Sequence, residues 1–437
     1  MLDYGFALFL IAMLIQGIFN LYLTLYVWEK PERLDETASP AAFLPPMLGF
    51  TVLIPARHEQ SVIGNTIRRV INASYPARLL EIIVICDSSD TETIRVAKEA
   101  ISESNKLNAR VLEYSSLPIN KPHGLNEGLA VATQPIITIF DAEDDIHPDI
   151  FNVANTIFLT KRPDLIQAGV QLMNYASTWF SVHNVLEYFF WFKSRMHFYA
   201  RANMVPLGGN TVFFRRKQLL QIGGWDQACL TEDADIGIRL SMIGAKVHAT
   251  YDARHITKEE TPSTIAEFIK QRTRWNQGFI QILKKGAWRR FPSLKQRVLA
   301  VYVLSFPLVQ SALLILTPII LLLGIFGHLP LGLSLLSFMP LLVVVVQLVM
   351  QLVGLWEFRR EQNLPFSLRS FLAVIWGFLP YQALLAVAAV RATWREARGQ
   401  NNWEKTSHAG LHRSTMTLDR LPEERATEDR ILTGLPS

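Results

Sequence analysis

The chain has 437 residues, 50% of which are hydrophobic, with 43 Lys and Arg against 38 Asp and Glu. A charged fraction of 19% lies below the roughly 25% of ordinary soluble domains, and the many apolar residues exclude a disordered chain. Two cysteines, Cys86 and Cys229, exclude a disulfide scaffold, and a net charge of +5 gives no reason to expect a nucleic-acid partner.

The apolar residues are concentrated in long stretches without charged residues. A bilayer core requires about 20 apolar residues in a helix, and each stretch is long enough to cross it. The first lacks a basic segment before it and is too long for a cleaved signal peptide, so we expect a signal anchor. Buried helices of a soluble protein are disfavoured by uncharged runs of this length. The predicted spans are residues 4–28, 298–327, 331–356 and 371–390.

Basic residues beside these stretches set the expected orientation. Lys30 and Arg33 follow the first span and Lys295 precedes the second, so the region between them is predicted to face the cytoplasm. Four spans would then place the C-terminus outside, whereas Arg391 and Arg395 after the last stretch place it inside. Either the charge rule fails at this end, or one apolar stretch enters the bilayer without crossing it.

Between the first two spans, short apolar runs alternate with helical patterns. This alternation predicts an α/β fold, a mostly parallel sheet with helices on both faces. Such sheets bind ligands beyond the carboxyl ends of their strands, where the polar clusters 56–59, 87–90 and 141–145 lie. No dinucleotide fingerprint, P-loop or zinc-ligand spacing is present. We predict strands at 51–54, 81–85, 110–112 and 136–140, and helices at 61–73, 91–104 and 124–133.

The cluster 141–145 directly follows a buried-strand sequence. Asp141 and Glu143 are two residues apart, so on an extended segment their side chains point to the same side. Two carboxylates so placed can share a hard cation such as Mg²⁺ or Mn²⁺. The alternative is an acidic loop that caps a helix beginning near Pro148.

Thr231, Glu232 and Asp233 form a second cluster. One of these carboxylates could act as general base toward a sugar hydroxyl. The alternative is a helix start, with Thr231 as the N-cap and the acidic residues in the first turn.

A third cluster is Gln271-Arg272-Thr273-Arg274-Trp275. Helical spacing places Gln271, Arg274 and Trp275 on one face. A guanidinium there can hold a leaving phosphate, and an indole face can stack on a sugar ring. A basic helix lying on the membrane surface is the alternative, and both can hold at once.

These clusters, in this order, resemble the membrane-embedded family 2 glycosyltransferases that include cellulose and hyaluronan synthases. The family has a nucleotide-binding Asp, a D-x-D metal motif, T-E-D and Q-x-x-R-W, and the resemblance covers about residues 50–410. Residues 403–406, W-E-K-T, are similar to the W-x-K-T segment of bacterial exopolysaccharide synthases. The matching positions are Asp87, Asp141 with Glu143, Thr231 to Asp233, and Gln271 with Arg274 and Trp275.

The sequence departs from the family pattern at three points. Glu143 replaces the second Asp of D-x-D, which leaves Asp144 as an alternative ligand. Cys86 replaces the first Asp of the usual D-D pair, which leaves Asp87 as the expected uracil contact. The F-x-V-T gating loop of cellulose synthases is absent, and residues 403–406 are the candidate for that part.

The resemblance implies a GT-A fold inserted between transmembrane helices, and transfer from a UDP-sugar with inversion, using Mg²⁺ or Mn²⁺. Asp233 would be the general base, with Glu232 beside it, and Asp141 and Glu143 would hold the metal. The implied nucleotide-sugar contacts are Pro55, Glu59, Asp87, Lys121, Asp141 and Arg274. The implied acceptor contacts are Trp275, Gln271, Gly208 and Gly209, and the implied gating residues are Trp403, Lys405 and Thr406.

The chain therefore divides into a transmembrane helix over 1–28, a cytoplasmic GT-A domain over 29–297, a membrane region over 298–392 and a tail over 393–437. Residues 179–200 and 267–285 are aromatic and basic, which predicts interfacial helices, with core helices as the alternative for the first. Sparse glutamines in the spans either line a sugar path or join helices. They are Gln310, Gln347, Gln351 and Gln382.

The predicted function is synthesis of a β-linked polysaccharide at the cytoplasmic (inner) membrane, with export through the spans. The alternative is a single sugar transfer to a membrane lipid. A non-catalytic scaffold is disfavoured by the intact carboxylates, and a transporter by the absence of repeated spans. The expected partners are a UDP-sugar, a carbohydrate or glycolipid acceptor and the bilayer, together with accessory export or regulatory subunits.

Overall fold

The computed structural model describes residues 2–103, 108–326, 330–402 and 404. The strands are β1 Phe50–Ala56, β2 Leu80–Asp87, β3 Asn108–Tyr114, β4 Ile136–Ile139, β5 Leu165–Gln167, β6 Val170–Leu172, β7 Val212–Arg215, β8 Val247–Ala249 and β9 Thr257–Glu259. The helices are α1 Leu2–Leu25, α2 Pro31–Thr37, α3 Ile63–Ile71, α4 Thr91–Ser102, α5 Lys121–Val131, α6 Ile150–Thr160, α7 Ser181–Phe190, α8 Met196–Ala202, α9 Arg216–Gln221, α10 Glu232–Met242, α11 Ile265–Lys285, α12 Leu294–Phe326, α13 Leu331–Glu361 and α14 Leu368–Ala397.

The central sheet has seven strands in the order β3-β2-β1-β4-β7-β5-β8. Strands β1 to β4 pair in parallel, as the alternating pattern predicts, whereas β7 runs antiparallel to both β4 and β5. The four predicted strands and three predicted helices are all present, with shifted ends. The antiparallel β7 was not predicted, because its pairing joins segments far apart in the chain.

Helices cover both faces of the sheet, and the alternation of apolar residues along β1 and β2 explains this. Leu53 and Ile83 point to one face, where they pack with Leu125 of α5. Val52 and Ile82 point to the other face, in a core that α3, α4 and α6 complete. The predicted α/β fold with helices on both faces is therefore confirmed.

Among the described residues, four helices are long and apolar enough to cross a membrane: Gly5–Glu29, Leu294–Leu316, Leu331–Glu361 and Leu368–Ala397. Several of their large apolar side chains are exposed, including Leu8, Trp356 and Trp376. Exposed apolar surface on this scale would favour aggregation in water but suits a lipid environment. These helices are those of a membrane protein.

Helices α7, α8 and α11 lie at the junction between the sheet domain and the apolar helices. Helix α7 contacts α13 and α14, and α11 contacts α12 and α14. A π-helical turn at Trp191–Arg195 joins α7 to α8. Phe189 and Phe268 are fully buried in this layer, so much of the apolar surface of these helices faces protein.

Candidate active site

One cavity of about 690 Å³ opens beyond the carboxyl ends of β1 and β4 and continues between the apolar helices. Parallel strands end at the same edge of a sheet, which brings segments distant in sequence to this place. Most of the predicted site residues line it: Pro55, Glu59, Lys121, Asp141, Glu143, Gly208, Gly209, Glu232, Asp233, Gln271, Arg274 and Trp275.

Lys121, the first residue of α5, lines this cavity. Its Nζ is 2.5 Å from Asp141 Oδ1, 3.3 Å from the Gly209 carbonyl oxygen and 3.8 Å from Glu232 Oε1. Burial alone would lower the pKa of Lys121, but the charges of Asp141 and Glu232 outweigh it and raise that pKa. The positively charged Lys121 therefore links the loop after β4 to the start of α10.

Glu232 and Asp233 form the first turn of α10 and face this lysine. Burial raises the pKa of Glu232 to about 7; Lys121 opposes the shift and the neighbouring Asp233 adds to it. Burial also raises the pKa of Asp233, against a 2.8 Å hydrogen bond from the Ala234 N–H and the charge of Lys121. A carboxylate with a raised pKa is a stronger base, so the geometry equips this turn to accept a proton.

A second group of carboxylates lies behind Asp141. Asp144 is fully buried and accepts hydrogen bonds from the Asp141 N–H at 2.8 Å and from Asn210 Nδ2 at 2.8 and 2.9 Å. Asn210 also donates to Glu259 of β9. Glu143 lines the cavity and Asp144 does not, so of the two alternatives it is Glu143 that faces the ligand space.

The residues of this acidic group fit a divalent cation. Burial and the charges of Glu143 and Asp141 raise the pKa of Glu259 to about 7. Burial and the charge of Glu259 likewise raise the pKa of Asp144. Several carboxylates thus compete for little positive charge, and oxygen ligands of this kind are those preferred by Mg²⁺ and Mn²⁺.

Asp87, predicted as a nucleoside contact, lies at the end of β2 and is not among the residues that line the cavity. It accepts a hydrogen bond from the Ser89 N–H at 3.1 Å, and Arg57 Nε lies 3.7 Å from its Oδ2. Arg57 itself lines the cavity. Asp87 therefore borders the site through Arg57, while the buried Glu59 lines it directly.

Helix α11 brings Gln271, Arg274 and Trp275 to the cavity on one face, as their spacing predicts. Its close approach to the start of α10 depends on Gly278, since a Cβ built there would lie 2.2 Å from Thr231 Oγ1. Arg272 lies over the Trp275 ring at 4.5 Å. The indole is thereby fixed at the wall of the cavity.

Arg272 has a structural role that the sequence did not predict. Its Nη1 donates to Glu187 at 2.8 Å, and its Nη2 donates to Asn184. The Tyr381 hydroxyl donates to the other oxygen of Glu187 at 2.6 Å. This network joins α11 to α7 and α14, whereas the sequence showed only one more basic residue on an amphipathic helix.

The predicted gating residues Trp403, Lys405 and Thr406 lie outside the described residues. Glu404, between them in sequence, is described. Its carboxylate pairs with Arg391 at 2.6 Å and with Arg395 at 3.1 Å.

The cavity extends between the apolar helices, where glutamine side chains line it. Gln310 belongs to α12, Gln347 and Gln351 to α13, and Gln382 to α14. Gln351 also forms a 2.8 Å hydrogen bond with His183 Nδ1 of α7. Gln351 therefore both lines the cavity and joins α13 to α7, and its role in a sugar path stays a prediction.

Residues 45–278 match the family model described as glycosyltransferase like family 2. The match covers more than half of the chain, and the fold and cavity of the chain agree with membership of this family. The chain belongs to glycosyltransferase family 2, and it is a glycosyltransferase.

Three curated relatives have similar sequence identity to this chain. The chain is 25% identical over 253 residues to the probable glycosyltransferase YdaM of Bacillus subtilis, covering 57% of this chain and 59% of that protein. It is 25% identical over 379 residues to the beta-monoglucosyldiacylglycerol synthase of Trichormus variabilis, covering 82% and 76%. It is 24% identical over 271 residues to the poly-beta-1,6-N-acetyl-D-glucosamine synthase of Staphylococcus epidermidis, covering 60% and 61%.

A solved structure supports the fold. The mannosyltransferase PcManGT from Pyrobaculum calidifontis, in complex with GDP-Man and Mn²⁺, superposes with a TM-score of 0.56 at 17% identity. The superposition covers 91% of this chain and all of that one. At this identity the likeness concerns the fold.

Proposed function

We propose that this protein is an inverting glycosyltransferase that transfers a sugar from a UDP-sugar to an acceptor held at the membrane. The observation that carries the proposal is the convergence of Asp233, the Lys121–Asp141 pair and Trp275 on one cavity that continues between the apolar helices. A base, a positive charge and a stacking surface are the groups that sugar transfer from a nucleotide requires.

In this proposal Asp233 removes the proton of the acceptor hydroxyl. The oxygen attacks the anomeric carbon from the side opposite the diphosphate, a new carbon–oxygen bond forms, and the bond to UDP breaks with inversion. Lys121 and Arg274 stabilise the negative charge that develops on the leaving diphosphate. Glu232 keeps Lys121 in place.

The remaining predicted residues bind the two substrates. Pro55 and Glu59 line the end of the cavity next to β1, and with Asp87, through Arg57, they would contact the nucleoside. Trp275 would stack on the acceptor sugar. The other acceptor contacts would be Gln271, Gly208 and Gly209.

A divalent cation, Mg²⁺ or Mn²⁺, would be held by Asp141 and Glu143. Its chemistry there is to neutralise charge on the diphosphate. The acidic group with raised pKa values supports such a site, and the fold neighbour PcManGT is a complex with Mn²⁺. Lys121 must then give up part of its contact with Asp141.

For the acceptor we propose a growing β-linked polysaccharide, which the same cavity would lead outward. The glutamines supply uncharged hydrogen-bonding groups along the path, and Tyr302 and Phe378 supply aromatic surface. A membrane glycolipid is the second candidate. The alignment to the lipid glucosyltransferase favours it, since it covers 82% of this chain, against 60% for the polymer synthase.

We further propose that the catalytic domain and the C-terminus lie on the same, cytoplasmic, side of the inner membrane. Helix α14 follows α11 along its length: the Tyr381 and Phe268 rings are 5.4 Å apart, and Arg395 Nε donates to Gln277 Oε1 at 3.1 Å. These contacts support an α14 that enters the bilayer without crossing it. Trp403, Lys405 and Thr406 are proposed as gating residues because residues 403–406 are similar to the W-x-K-T segment.

Product analysis tests the choice of acceptor. The purified full chain in detergent is supplied with radiolabelled UDP-glucose, UDP-N-acetylglucosamine, UDP-galactose or UDP-glucuronate and with Mg²⁺ or Mn²⁺. A large, glycosidase-sensitive product supports polymer synthesis. A small product that is extracted into organic solvent assigns the lipid acceptor instead, and hydrolysis without transfer contradicts both. Accessory subunits are tested by adding membranes from the native host.

A further inference from the structure

A second group of potential metal ligands lies outside the cavity. His147 and Asp149 belong to the segment between β4 and α6, and His255 to the segment between β8 and β9. One ligand atom from each of the three residues lies within 4.8 Å of the other two. The two imidazole rings are perpendicular, with centroids 4.9 Å apart. None of the three lines the cavity.

His255 and Asp149 are left with unused ligand capacity, whereas His147 Nδ1 already accepts a 3.1 Å hydrogen bond from the Asp149 N–H. His255 Nδ1 is buried and has no hydrogen-bond partner within the described part of the chain. Asp149 occupies the N-cap position of α6, yet its side chain makes no capping hydrogen bond there. It accepts a 3.1 Å hydrogen bond from Asn152, which occupies only one of its oxygens. A buried polar atom without a partner is costly, and a metal ion bound to this nitrogen would remove that cost.

The chemistry of the donor set selects the kind of ion. Two imidazoles and one carboxylate suit a borderline transition metal such as Zn²⁺ better than Mg²⁺, which prefers oxygen ligands. Zn²⁺ holds its ligands at about 2.0–2.1 Å, so tetrahedral ligand atoms are about 3.3 Å apart. All three side chains are partly exposed, so small rotations can bring them from 4.8 Å to that spacing.

We propose that His147, Asp149 and His255 form a Zn²⁺-type site, separate from the acidic group at Asp141, with water as the fourth ligand. Its place in the fold gives it a structural effect. Asp145 and Lys258, between the ligands and the acidic group, form a β-bridge with two 3.0 Å backbone hydrogen bonds. An ion bound beside this bridge would cross-link the loop that carries Asp141 to the segment that carries Glu259.

Metal titration of the full-length protein tests this site. EDTA-treated protein in detergent is titrated with Zn²⁺ in a large excess of Mg²⁺, which occupies the carboxylate sites. The expected result is one Zn²⁺ per chain, with affinity lowered about tenfold or more in His147→Ala and in His255→Ala. Zn²⁺ should also raise the Tm of the wild type but not that of these variants.

Two further variants separate binding from folding. Asp149→Asn keeps the shape of its side chain, so it should keep the metal-free Tm of the wild type while it binds Zn²⁺ more weakly. His248→Ala is the matched control, because it removes a histidine of β8 outside the cluster. Wild-type protein that binds no Zn²⁺ overturns the proposal. Equal binding by the cluster variants, or an equal loss in the control, also overturns it.

Discussion

Lys121 Nζ lies 2.5 Å from Asp141 Oδ1, so the lysine occupies the carboxylate that we propose as a metal ligand. Both side chains are largely shielded from solvent. A cation that binds there must compete with the ammonium group, and this competition has a measurable consequence.

Lys121→Met should tighten Mn²⁺ binding to the donor-free protein while it slows sugar transfer. Loss of a charged hydrogen bond worth about 1.5 kcal/mol corresponds to about tenfold in affinity. Calorimetric titration with Mn²⁺ measures the change. Lys98→Met is the control, because Lys98 is exposed and pairs with Glu113 on the surface. Unchanged or weaker Mn²⁺ binding in Lys121→Met would contradict the competition.

The pH dependence of transfer should show an acidic limb. Asp233 must be ionised to accept a proton, and burial raises its pKa, so the rate falls as the pH is lowered through that raised value. Lys121 lowers the pKa of Asp233, so Lys121→Met should move the limb to higher pH. Rates normalised to each variant's plateau measure the shift. A limb at the same pH in both proteins would show that Asp233 is not the titrating group.

Gly209→Ala should impair transfer without unfolding the protein. A Cβ at this position would lie 3.3 Å from Asp233 Oδ2 and 3.8 Å from Lys121 Nζ, which crowds the base. Displacement of a catalytic group by a fraction of an ångström can lower kcat/KM by about tenfold to a hundredfold. Gly332→Ala is the control, since a Cβ there meets nothing within 4 Å. Equal activity of the two variants would remove Gly209 from the site.

The proposed topology predicts where the C-terminus is accessible. Ser437→Cys should react with a membrane-impermeant maleimide only after cells are permeabilised. Asp3→Cys, just before the first span, should react in intact cells. The native Cys86 and Cys229 are buried, so their background labelling is low. Labelling of residue 437 in intact cells would mean that α14 crosses the membrane.

The sequence predicted the parts of this structure that depend on local patterns. The strands that contain Leu53 and Ile83 were predicted from short apolar runs. The polar cluster at Asp141 was predicted to lie at the edge of the sheet because it comes directly after such a run. Glu259 was missed because β9 has three residues and no motif marks it. The partners of Arg272 were missed because Glu187 and Tyr381 are distant in sequence, so their meeting depends on the packing of whole helices.

Asp233→Asn tests the central claim most directly. This substitution keeps the size of the side chain but removes the base, so the rate of sugar transfer from the active UDP-sugar should fall by about 10²–10⁴-fold. Binding of UDP and the Tm should be retained, and Asp35→Asn, at an exposed position on α2, should transfer at the wild-type rate. Transfer by Asp233→Asn at the wild-type rate would contradict the account.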